Sequence, residues 1–215
     1  MKLSRSEFDR RYAAGELHLA FIGMSNIGKS YTATRLSKTY NFQLVEVDRL
    51  IWEELGQGSM ADFADWQGQP YTKGYDEREA VSIGLETTAT KKAMAPVNAN
   101  TLLDTTGSVI YVDDAVKADL RENFLIVHIA AGDADLERLK ADYFALPKPL
   151  VWRGHYRKLD GKSEYESILA CYPELLNSRK SAYENIADVT LSSQFVLAPD
   201  TTMESVFTAI RNQLD

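Results

Sequence analysis

The sequence predicts a three-layer α/β domain built on a five-stranded parallel sheet. Short apolar runs, β-branched and bounded by polar turns, recur along the 215 residues, and helical patterns separate them. Strand alternating with helix implies a parallel sheet with right-handed crossovers, buried on both faces. A composition of 45% hydrophobic and 26% charged residues suits one globular domain over 1–215 with a sizeable core.

The elements follow in order. Residues 4–14 suit a short leader helix capped by Ser4 or Ser6. The strand candidates are HLAFIG (18–23), FQLVEVD (42–48), TLLDT (101–105), FLIVHIA (124–130) and DVTLS (188–192). Helical patterns cover Ser30–Tyr40, Glu77–Ala93, Asp113–Asn123, Ala134–Phe144, Glu164–Ile186 and Thr202–Leu214. Two regions break the alternation. Residues 56–76 are glycine-rich, with Phe63, Trp66, Tyr71 and Tyr75 interspersed; residues 145–163 are basic and proline-bounded. Both read as excursions over one face of the sheet, the first a substrate-side insert and the second a helical lid; the alternative is two plain surface loops.

Composition also excludes several classes. A net charge of −7 argues against a nucleic-acid-binding surface as the main business. One cysteine, Cys171, rules out an internal disulfide and fits a reducing compartment; it reads as a bystander on a helix. The charged N-terminus has no apolar signal region, and no apolar run reaches the ~20 residues that span a bilayer, so a cytoplasmic protein without membrane contact is expected.

Gly23-Met24-Ser25-Asn26-Ile27-Gly28-Lys29-Ser30 matches G-x-x-x-x-G-K-[ST] in full, after an apolar strand and at the opening of a helix. Glycines let the backbone wrap close to a polyphosphate, and the first N–H groups of the helix point at the anion. Lys29 reaches the β- and γ-phosphates in this motif, and the Ser30 hydroxyl ligates Mg²⁺. The expected cofactors are therefore ATP and Mg²⁺. Gly23, Ser25, Asn26, Ile27, Gly28, Lys29, Ser30 and Tyr31 are the nucleotide-binding candidates, in a P-loop NTPase fold.

Ligands in open parallel sheets sit at the C-terminal strand ends. The second strand closes on Glu46 and Asp48, which alternation puts on one side. A carboxylate there can serve the metal or take a hydroxyl proton, or Asp48 can cap a following helix. The third strand closes on Asp104, a second candidate metal acid, before the hydroxyls of Thr105, Thr106 and Ser108 and the bare Gly107; an ordinary turn is the alternative. Lys148, Arg153, Arg157 and Lys158 in the lid, and Arg179 beyond it, are cations able to stabilise phosphoryl-transfer charge, or a solvated face. His18 and His128 read as packing residues, and His155 as a weak phosphate contact; no metal-ligand spacing joins the three.

In this order the motifs resemble the shikimate kinases, small-molecule kinases of the nucleoside-monophosphate-kinase-like P-loop group. The resemblance runs from about Leu17 to the C-terminus, through FQLVEVDRLIWEELG, LLDTTGSVIYV, FLIVHIAAGDADLERL, LPKPL and SRKSAYENIADVTL. It implies sheet order 2-3-1-4-5. It implies ATP and Mg²⁺ on Gly23 to Ser30, Glu46 as the metal-side acid, and Asp48 as acceptor-binding acid and base. Lys148 stands for a catalytic lid arginine, and Arg179 for a substrate-anion arginine. The chain departs from the family in the acceptor site. Thr105-Thr106-Gly107 replaces a glycine triplet, and a second carboxylate-binding arginine falls at Asp76, with Arg78 nearby. The expected activity is phosphoryl transfer to a hydroxyl of a small, polar, anionic metabolite other than shikimate. The rivals are a nucleoside or nucleotide kinase, with Trp66, Tyr71 and Tyr75 stacking a base, and a nucleotide-binding regulatory protein without phosphotransfer.

Overall fold

The computed structural model describes residues 3–56, 60–95, 99–145 and 149–215. In chain order it runs α1 (Arg5–Ala14), β1 (His18–Ile22), α2 (Lys29–Tyr40), β2 (Gln43–Glu46), α3 (Val47–Leu55), α4 (Met60–Gln67), α5 (Tyr75–Ala93), β3 (Thr101–Asp104), a 3₁₀ turn (Val109–Tyr111), α6 (Asp114–Asn123), β4 (Leu125–Ala130), α7 (Asp133–Ala145), α8 (Glu164–Ile186), β5 (Val189–Ser192), α9 (Ser193–Val196) and α10 (Met203–Asn212). The five strands form one parallel sheet in the expected order β2-β3-β1-β4-β5.

Register explains how the sheet builds a site. Phe21 of β1 and Glu46 of β2 both lie level with Asp104 of β3, so these strands end abreast. β1, β3 and most of β4 are buried on both faces, which is why they read as unbroken apolar runs rather than alternating ones. Ser4 caps α1 through the Glu7 N–H, and Ser163 and Glu166 form a reciprocal capping box on α8.

The excursions depart from expectation. Residues 56–76 contain a helix, α4, followed by turns up to Gly74. The expected helical lid has no helix in residues 149–163, and its centre is docked rather than free. Val151 and Trp152 are buried, and Trp152 meets Tyr143, Tyr156 and Tyr172 with ring centroids 6.0–6.4 Å apart. Glu79 on α5 accepts the N–H groups of Trp152 (2.5 Å) and Arg153 (3.1 Å), while the Tyr75 hydroxyl and Gln67 Nε2 both donate to Leu150 O. The basic composition of 145–163 hid this anchoring, because the attachment lies in one tryptophan and in backbone groups. Among the described residues no helix is long and apolar enough to cross a membrane.

Trp152→Ala removes a buried aromatic that holds this segment, and is expected to cost about 3–5 kcal/mol in a urea titration. A loss below 1 kcal/mol would mean that the segment is not docked in solution.

Candidate active site

The loop from Gly23 to Gly28 is shaped by close packing. Gly23 has φ +141°, and a Cβ there would lie 2.6 Å from Ile129 O, so only glycine fits between β1 and β4. Asn26 adopts the left-handed region at φ +61°. Ile27 is buried and anchors the loop in the core. Lys29 is buried too, and its Nζ donates to Gly23 O (2.9 Å) and Met24 O (2.8 Å) of its own loop. Burial pulls the ammonium pKa down, while the carboxylates of Asp104, Asp48 and Glu86 hold it up. Tyr31 is exposed on α2 and accepts from Arg35 (2.7 Å).

Beside the loop lies a cavity of about 250 Å³. Ser25, Asn26, Lys29 and Ser30 line one side of it, and Asp48, Thr105, Thr106 and Gly107 line others. These expected site residues do come together. Asp48 does not lie on the strand, contrary to expectation: the chain leaves the strand at Glu46 and starts α3 at Val47. Glu46 is the cap position, and Asp48 reaches the cavity from the first turn of a helix rather than by strand alternation.

Glu46 and Asp104 sit abreast at the strand ends, and neither is among the residues that line the cavity. Burial raises the Asp104 pKa, opposed by the Ser30 hydroxyl and Lys29, and its Oδ1 is buried without a hydrogen-bond partner. A hydroxyl beside a carboxylate oxygen with spare capacity fits a hard divalent cation that takes its other ligands from phosphate and water.

Gly107 serves the protein itself. A Cβ there would lie 2.5 Å from Ser25 Oγ and 2.9 Å from Ser25 N, so its bareness lets the turn after β3 lie on the phosphate loop. Its carbonyl accepts from the Tyr183 hydroxyl and from Arg179 Nη1 (3.1 Å).

The two expected anion-binding arginines are occupied by the protein. Arg179 is buried, gives Nη2 to Val151 O (2.7 Å) and lies over the Tyr111 ring. Arg78 donates to Gln67 O, Lys73 O and the Thr72 hydroxyl. Neither lines the cavity. Of the lid cations, Arg157 pairs with Glu174 (2.7 Å), Lys158 donates to Lys162 O, and Arg153 lies near Tyr111. His155 lies 3.9 Å from Glu174. Lys148 lies outside the described residues.

Sequence reasoning missed Glu86, Ser82 and Gln67 and the aromatic wall of Trp52 and Phe63, all of which line the cavity. Glu86 is 4% exposed and accepts from the hydroxyls of Thr106 and Ser108. Burial pushes its pKa up to about 7, against the pull of those two hydroxyls. A signal for it exists. Tyr75, Glu79, Ser82, Glu86, Thr90 and Ala93 recur at helical spacing and are the buried face of α5, while Val81 is exposed. Ser82 and Glu86 of that buried face line the cavity. Arg138 on α7 was missed as well, and donates to Asn26 O of the phosphate loop.

Two outcomes follow. Arg179→Ala leaves Val151 O without its buried donor and is expected to lower ligand-free stability by about 1–3 kcal/mol in denaturant; unchanged stability would return Arg179 to a ligand-binding role. For Glu86, the unfolded carboxyl titrates near 4.5 and the folded one near 7, so folding favours its protonated form. That contribution is complete below pH 4.5 and is lost as pH rises to about 7. The stability of Glu86→Gln relative to wild type should therefore climb across that window by up to about 3 kcal/mol and then level off. Thermal melts of both proteins at matched pH measure it, and a flat difference would place Glu86 in water.

No protein-family model matches the sequence, and no curated protein matches it. Solved structures do. Shikimate kinase from Acinetobacter baumannii in complex with shikimate superposes with TM-score 0.59 at 15% identity, over 91% of this chain and 90% of that one. Shikimate kinase from Bacteroides thetaiotaomicron gives 0.58 at 13% over 91% and 97%, and shikimate kinase from Aquifex aeolicus gives 0.56 at 17% over 89% and 92%. The fold of this chain is the P-loop kinase fold of those enzymes.

Proposed function

We propose that the protein is a small-molecule kinase that transfers the γ-phosphoryl group of ATP to a hydroxyl of a small polar metabolite. The observation that carries this reading is one cavity with Lys29 and Ser30 of a complete phosphate loop on one side and Asp48 on another. The likeness of fold to the shikimate kinases agrees with it. Fold alone does not fix activity; the residues that meet at the cavity carry the reading.

In this reading the loop N–H groups and Lys29 hold the polyphosphate, and Lys29 exchanges its two loop carbonyls for phosphate oxygens. Asp48 orients the acceptor hydroxyl and takes its proton as that oxygen bonds to the γ-phosphorus; the bond from phosphorus to the bridging oxygen breaks, and ADP leaves. Ser30 and Asp104 would hold Mg²⁺, with Glu46 behind them. Bound there, the ion supplies charge neutralisation on the phosphates. Val151 and Pro149 wall the cavity, on a segment held by the buried Trp152, and restrict water. The lone buried Cys171 and the acidic surface support a reducing, cytoplasmic setting without nucleic-acid partners.

Calorimetry should detect Mg²⁺-dependent ADP or ATP binding, and Lys29→Ala should weaken it roughly 10- to 100-fold through loss of charge-assisted contacts. Asp48→Asn should keep nucleotide binding and lower turnover about 10²- to 10⁴-fold. Folded wild-type protein that binds no nucleotide would end this reading, and normal turnover by Asp48→Asn would end the base assignment.

A further inference from the structure

We propose that the acceptor is an uncharged cyclic polyol of monosaccharide size: one hydroxyl meets Asp48, a second donates to Glu86, and a C–H face of the ring lies on the Trp52–Phe63 wall. This inference rests on the phosphotransfer reading above and names the chemistry of its second substrate.

The hydrogen-bonding capacity of the cavity lining carries it. The side chains of Ser82, Thr105, Thr106 and Ser108 line the cavity, and each spends its hydroxyl hydrogen within the protein. Ser82 donates to Gln67 Oε1 (2.8 Å) and Thr105 to Phe21 O (2.8 Å). Thr106 and Ser108 donate to the two carboxyl oxygens of Glu86. Each Glu86 oxygen takes one of these bonds and keeps a further lone pair. This lining accepts more readily than it donates, so the ligand that fits it brings donors.

The surroundings of Glu86 select among donors. Thr106 and Ser108, which donate to Glu86, flank Gly107, whose carbonyl accepts from Arg179 Nη1 (3.1 Å). Burial pushes the Glu86 pKa up to about 7, and the two hydroxyls and the Arg179 guanidinium pull against it. Glu86 thus already lies in the field of a cation. A ligand ammonium beside it would meet the repulsion of that guanidinium, and a ligand carboxylate would set acceptor against acceptor. A hydroxyl carries no charge and both donates and accepts, so it fits Glu86 ionised or protonated.

The aromatic wall is an independent observation. Phe63 stands edge-on to Trp52, with centroids 6.0 Å apart, and both border the cavity, as does Ile51. A cyclic polyol carries hydroxyls on its rim and C–H groups on its faces. One face can therefore bury against aromatic carbon while the rim reaches oxygen. A volume of about 250 Å³ limits the acceptor to roughly monosaccharide size.

The test uses the full chain and three matched triplets: glucose, glucosamine and glucuronate, and the same neutral, amino and uronic forms of mannose and of galactose. Each is offered with MgATP and an ADP-release readout, and Mg²⁺-ADP binding is measured in parallel. The neutral sugar of at least one triplet should exceed both charged forms about 10-fold or more in kcat/KM, the size of one mismatched charged contact. For that sugar, Glu86→Gln, which exchanges an accepting oxygen for a donor, should raise KM several-fold. Trp52→Leu, which spares the carboxyl, should do the same. Both variants should keep wild-type affinity for Mg²⁺-ADP. Charged forms that match the neutral sugars, variants with wild-type KM, or probes that all stay at the acceptor-free rate while Mg²⁺-ADP binds would overturn the neutral acceptor and leave the kinase reading standing. Absent nucleotide binding would remove both.

Discussion

The Arg179 guanidinium fixes the geometry of this site by joining three parts of the chain that sequence keeps far apart. One nitrogen holds the carbonyl of Gly107 in the turn after β3, and another holds the carbonyl of Val151 in the segment before α8. Gly107 in turn lies against Ser25, so the phosphate loop is packed on a turn that α8 holds from behind. The charge is buried; two backbone oxygens and the Tyr111 ring take the place of water around its Nη end, while Nε is buried without a hydrogen-bond partner. Phosphate loop, the turn after β3 and the cavity wall thus depend on one another's position.

That dependence changes the meaning of the basic excursion. A run of lysine and arginine near a phosphate loop suggests a flexible lid. Here the tie of Glu79 to the backbone of residues 152–153, and of Tyr75 and Gln67 to Leu150, docks residues 150–153 against the rest of the domain. Arg157 of the excursion pairs with Glu174 at the surface, and among the described residues that line the cavity the positive charge is that of Lys29 in the phosphate loop. Lys29, Asp104 and Glu86 are themselves buried. Burial moves the lysine pKa down and both acid pKa values up, so Lys29 and Asp104 are poised for partners of opposite charge.

Much of the architecture was legible before any coordinates. The phosphate loop is a local motif, since its glycines and its helix start are dictated within eight residues. The five strands are apolar runs whose burial follows from composition, and their alternation with helices implies a parallel sheet. The end of β2 was misplaced because Val47 and Asp48 continue the strand pattern by residue type, yet Val47 already opens α3. Asp48 still reached the cavity, from a helix turn instead of a strand end.

The sequence alone determined the sheet and the phosphate loop, because strand burial and a tight glycine turn are properties of neighbouring residues. Tertiary structure alone decided what lines the cavity away from the phosphate loop. Arg179 and Arg78 have the composition of anion-binding residues, and only the placement of carbonyl oxygens around them turned them into internal ties. Glu86 reads as one polar residue on a helix of nearly even polarity, and only the packing of α5 against the turn after β3 makes it a buried carboxylate at a cavity. Which hydrogen-bond partner a long side chain finds is set by groups distant in sequence, and a pattern of residue types along a chain carries no record of that choice.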